Sequence, residues 1–139
     1  MEAVIMAHPS KIQQTLNTIV KTLELTFSGK LMQLIAQKGI KPAEVYTKAG
    51  ITKAHFSKIK KKNDYRPRKE TALALALALK LTIDETNDLL YRAGYILSRS
   101  IAEDMIIASY IKDGKHDVDE INIILYTNGA KPLTNRLSA

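Results

Sequence analysis

At 139 residues, 45% hydrophobic and 25% charged, the chain has ordinary globular composition, enough for one domain with a sizeable core or a small domain with helical additions, and too apolar for wholesale disorder. It has no cysteine, which excludes disulfides and thiolate metal sites and fits a reducing cytoplasm. Its net charge of +7 is unevenly held: Lys41 to Lys69 carry a local balance of +8, and the rest of the chain sums to −1, the footprint of a surface that meets a polyanion.

The opening "MEAVIMAH" has an acidic residue where a secretory signal carries basic ones, and its apolar run is short, so the expectation is a soluble intracellular protein. Ile12, Leu16, Ile19, Val20 and Leu23 then recur at helical spacing and predict a first helix over Ser10 to Leu25. A second, capped by Ser28, carries Leu31, Leu34 and Ile35 and stops at Gly39. Pro42 suits the first turn of a short third helix reaching Ala49. Thr52 caps a fourth, with Phe56 and Ile59 on its inner side, and "NDYRP" is a turn.

The next stretch, "TALALALALK", alternates alanine with leucine. Both members are apolar, so period two carries no inside-outside information, and the run lacks β-branched and aromatic residues. Alanine and leucine are strong helix formers, and eight apolar residues fall far short of the roughly 20 that cross a bilayer. A buried central helix is expected. Thr82 and Glu85 in capping-box spacing open another helix through Leu89 and Leu90, ended by Gly94. Ile101 to Lys112 and Val118 to Asn128 read as two more, the latter with Asp117 and Glu120 as a capping box, and the tail "KPLTNRLSA" reads as frayed.

Function concentrates in "PAEVYTKAGITKAHFSKIKKK". A short helix, a turn in which Gly50 takes positive φ, and a second helix are the parts of a helix-turn-helix. Val45, Ile51, Phe56 and Ile59 form its inner seam, and Thr52, Lys53, Ala54, Ser57 and Lys58 face outward, where small, polar or basic side chains can enter a major groove.

From Phe27 to Tyr95 the chain resembles the lambda-repressor/Cro-like (xenobiotic response element) helix-turn-helix family: a leading helix, the two-helix reader, the basic "YRPRKE" segment, the core helix and "LTIDETNDLL". The resemblance implies an all-α bundle over 27–95, with an N-terminal helical extension (1–26) and a C-terminal helical extension (96–139). It also implies that Lys53, Ala54 and Lys58 read bases, accompanied by Thr52 and Ser57. Lysine donates to guanine O6 and N7, whereas Ala54 offers a methyl contact to thymine. Lys41, His55, Lys60, Lys61, Lys62, Arg66, Arg68 and Lys69 fall to the DNA backbone or minor groove, Arg66 and Arg68 being similar to a basic-Pro-Arg segment of some repressors. The chain departs from the family at Pro42, where a glutamine is common, and at Tyr46 and Ala49, whose volumes are exchanged and can compensate. Lysines on the reading face favour affinity over specificity.

The expectation is therefore a cytoplasmic DNA-binding transcriptional regulator, a repressor. The alternatives are an antitoxin-like or adaptor module that holds a protein partner through its terminal helices, and a non-specific nucleic-acid binder. His55 either touches DNA or covers the helix, and Tyr65 either stacks on a nucleotide or packs under its loop. His8, His55 and His116 are too scattered for a metal, and the acidic groups Glu103-Asp104 and Asp117-Asp119-Glu120 lack a nucleophile or phosphate loop, so neither cofactor nor enzymatic activity is expected. The surplus apolar residues Ile12, Leu16, Ile19 and Leu23, and Ile101, Met105, Ile106, Val118, Ile121 and Leu125, either enlarge the core or form a homodimer interface, with the C-terminal pair as the favoured contact.

Overall fold

The computed structural model describes residues 9–134, and the regular structure among them is entirely helical: α1 (Pro9–Thr22), α2 (Phe27–Lys38), α3 (Pro42–Ala49), α4 (Lys53–Lys61), α5 (Lys69–Ala78), α6 (Ile83–Arg92), α7 (Ala102–Lys112) and α8 (Val118–Thr127). Segments 1–8, with His8, and 135–139 lie outside the described residues.

The alanine-leucine run is the axis of the molecule. Thr71 through Leu79 are each at most 8% exposed, so α5 is covered all round, and it packs on α3, α6 and α8. Alternating small and large side chains suit this position, because alanines let neighbouring helices approach while leucines fill the space between them. The remaining helices dress this core. Phe27, Leu31, Leu34 and Ile35 bury one face of α2, and Thr86, Leu89 and Leu90 one face of α6.

Caps set several boundaries. Thr82 and Glu85 form a reciprocal capping box, Thr82 Oγ1 accepting from Glu85 N at 3.2 Å and Glu85 Oε1 from Thr82 N at 3.0 Å. These bonds, chiefly the one from Thr82 N–H, hold the Glu85 carboxyl below its ordinary pKa. The cap of α2 is Thr26, not Ser28: Thr26 Oγ1 accepts from Gly29 N at 3.2 Å, while Ser28 is buried and donates to Lys62 O at 3.2 Å. Both residues are good cap formers, and the contact with Lys62, distant in sequence, decides between them. At α8 only half of the expected box forms. Asp117 Oδ1 accepts from Asp119 N and Glu120 N, but Asp117 N donates to the Tyr110 hydroxyl at 3.0 Å. Tyr110 in turn donates to Asp117 O, and burial pushes its phenol up to about 12, which keeps it protonated.

The two ends differ from expectation in opposite senses. Ile106 of α7 is half-buried, and Val118, Ile121 and Leu125 of α8 join the core, leaving Ile101 and Met105 at the surface. The C-terminal pair is thus largely consumed in packing against α5 and α6. The tail is anchored at least as far as Thr134 instead of frayed: buried Asn122 accepts from Leu133 N at 2.8 Å and donates to Thr134 Oγ1 at 2.8 Å, and Leu133 is itself buried. By contrast α1, which ends at Thr22 rather than Leu25, has no substantial packing with another helix, and its apolar residues are 40–67% exposed.

Candidate nucleic-acid interface

Helices α3 and α4 meet at Gly50, whose φ of 76° is the left-handed conformation that a side chain would strain. Thr52 then starts α4, its Oγ1 accepting from His55 N at 3.0 Å. Phe56 and Ile59 are buried with Val45 and Ala49, and Ile51 is half-buried. Tyr46 is half-buried, its ring tilted at 45° to that of Phe56 with the centroids 5.6 Å apart.

With its inner side fixed, the outer side of α4 is determined by helical geometry. Ala54, Lys58 and Lys61 lie on one stripe and Lys53, Ser57 and Lys60 on the next. Lys53, Ala54, Lys58, Lys60, Lys61 and Lys62 are exposed, as are Thr52 and Lys41, while Ser57 is half-buried. Among the described residues none of the lysines at 53, 58, 60, 61 and 62 is in an ion pair. The far end of the helix is clamped to α2 by Ser28 and by the 2.7 Å bond from Thr26 Oγ1 to Asn63 Oδ1. The cationic rod is therefore rigidly mounted and open.

His55 and Tyr65 turn towards each other, His55 Nε2 and the Tyr65 hydroxyl being 3.3 Å apart with their rings edge-on. Tyr65 is half-buried and packed against the core, in keeping with its packing role under the loop.

The basic segment after the turn is disposed differently. Arg66 Nε donates to Ala93 O at 2.6 Å, and its guanidinium lies 4.5 Å from the centroid of the Tyr95 ring. Gly94, at φ 81°, makes room for it: a Cβ there would stand 3.3 Å from Arg66 Nη2. Tyr95 completes the clasp by donating to Pro67 O at 2.8 Å. Lys69 Nζ reaches Asp104 Oδ2 at 2.7 Å, and that carboxylate, 6% exposed, also accepts from Ser98 N at 2.8 Å. Arg66 remains solvent-exposed despite its contacts, and Arg68 is 70% exposed and 3.7 Å from Glu70. Sequence reading missed Asp104 as a partner because 35 residues separate it from Lys69, and no local spacing signals such a pair.

Residues 30–89 match the family model of the Cro/C1-type HTH DNA-binding domain, and the all-helical bundle they form is consistent with that class. The match contains the whole of α3 to α5 and most of α2 and α6, the helices that mount the cationic rod. No curated protein and no solved structure is detectably similar to the chain. Among the described residues no helix is long and apolar enough to cross a membrane.

Proposed function

We propose that this protein is a cytoplasmic transcriptional regulator, a repressor without catalytic activity, that places α4 in the major groove of double-stranded DNA. One observation carries the reading: α4 is pinned from below by Phe56 and Ile59 while Lys53, Ala54 and Lys58 point outward without an ion-pair partner among the described residues. Lys53 and Lys58 donate to purine acceptors, and Ala54 and Thr52 lie against the base edges. Lys41, Lys60, Lys61, Lys62 and Arg68 hold phosphates, whereas Arg66 and Lys69 are committed within the fold and are left out of that set. Occupying an operator in this way excludes competing proteins, which is repression in its simplest form.

A homodimer supplies the second half-site, and α1 is the element that supports it. Ile12, Leu16 and Ile19 follow the four-three spacing of a coiled-coil seam, and Gln13, Thr15 and Val20 beside it carry no charge, so two copies meet without repulsion. Covering these half-exposed side chains on both copies yields on the order of 10 kcal/mol, comparable with the cost of association, so the dimer is weak in solution and reinforced on DNA.

Selection of bound fragments from random DNA tests the reading, with recovery of a two-fold symmetric site as the expected result. Lys53→Ala should change the selected sequence, and Lys61→Ala should weaken all sites alike. With five phosphates neutralised, log affinity falls with log salt at a slope of about −4.5. The adaptor reading replaces this one if Leu16→Asp abolishes regulation in cells while Lys53→Ala leaves it intact.

A further inference from the structure

The anchored tail raises the question of what it is anchored for. Asn122 is fully buried, and its side-chain amide is spent on the tail: Oδ1 accepts from Leu133 N at 2.8 Å and Thr134 N at 3.4 Å, and Nδ2 donates to Thr134 Oγ1. With Leu133 seated in the core, the segment has little freedom to leave. It runs beside the start of the recognition helix, where Lys131 joins Thr52, His55, Arg68, Glu70 and Thr71 around a cleft of about 280 Å³. Charge decides what the cleft can take. Arg68 and Glu70 stand 3.7 Å apart and offset each other, so Lys131 leaves the cleft with one net positive charge. Thr52 Oγ1 already accepts from His55 N, which leaves its hydroxyl proton available for donation to an anion.

We infer that this cleft holds a phosphate of the DNA backbone beside the groove that α4 enters, with Lys131 delivered to it by the Asn122 tether. The inference rests on the DNA-binding reading and extends it: the C-terminal helices complete the interface as well as the core. One phosphodiester carries one negative charge, which matches the cleft with Lys131 present and not without it.

Full-length protein titrated with a fluorescent duplex of random sequence at several salt concentrations tests this. Lys131→Ala should weaken binding by about fivefold irrespective of sequence and make the salt slope shallower by about 0.9. Asn122→Ala, which frees the tail, should cause a similar loss, and the double variant little more than either alone. Should Asn122→Ala fail to fold, Lys131→Glu carries the test, with a larger loss expected than for Lys131→Ala. An unchanged slope for Lys131→Ala, while Lys61→Ala lowers it, overturns the inference and leaves DNA binding standing. Tighter binding by Lys131→Ala also overturns it, since the strap would then obstruct the interface. Failure of the unsubstituted chain to bind any duplex removes the reading on which both rest.

Discussion

Lys58 to Lys62 and Arg66 to Lys69 are two basic runs separated by a single turn, alike in charge density and opposite in disposition. The four lysines of the first stand in solvent, without ion pairs among the described residues. In the second, Arg66, though exposed, is bound to Ala93 and Tyr95, and Lys69 to a buried Asp104, leaving Arg68 with only Glu70 beside it. Positive charge in a sequence is thus a supply of cations rather than a map of a binding surface. Cations whose charge is satisfied within the fold contribute to stability, and the remainder are available to phosphates.

This contrast can be broken most sharply at Lys69. Lys69→Ala leaves the Asp104 carboxylate buried without its cation and should cost about 3 kcal/mol, the lower end for a broken buried pair because Ser98 N–H still supports it. Thermal unfolding should fall by roughly 10 °C, with no change in the salt slope of DNA binding. An unchanged melting temperature with a shallower slope would place Lys69 on the DNA instead. Arg66→Ala should cost about 2 kcal/mol through the lost bond to Ala93 and the stacking on Tyr95, again read by thermal unfolding. Lys61→Ala inverts the pattern: stability should stay within about 0.5 kcal/mol while the salt slope loses about 0.9. The smallest effect is an acid one at Glu85. Its folded pKa lies below the ordinary 4.5, so the carboxylate contributes stability above that value and loses it as pH falls through the lowered one. Because Glu85 is 39% exposed, the contribution is below about 1 kcal/mol. Glu85→Gln should flatten that part of a stability-against-pH curve and leave neutral-pH binding unaltered.

Much of the helix-turn-helix was legible in the residues. Gly50 in its turn, Thr52 at the cap, and Phe56 and Ile59 on the inner side follow from interactions within four residues of chain, which spacing displays directly. Where two residues were locally equivalent the reading failed. Thr26 and Ser28 are both competent caps, and Ser28 is withdrawn by Lys62, 34 residues away. The tail "KPLT" has the composition of a frayed end, and its order comes from Asn122 and from the burial of Leu133. The apolar faces of α1 and of α7 and α8 were indistinguishable as periodic patterns, although the C-terminal ones mostly enter the core and that of α1 stays exposed.

By itself the sequence determined the helices and the sidedness of α4, because propensity, capping and apolar periodicity operate over one or two turns. It also located the excess positive charge. Tertiary structure alone decided which cations remain free, that α5 is covered all round, and that the tail lies beside the start of the recognition helix. These outcomes depend on groups far apart in the chain, whose meeting is set by how helices pack and is written in no local pattern.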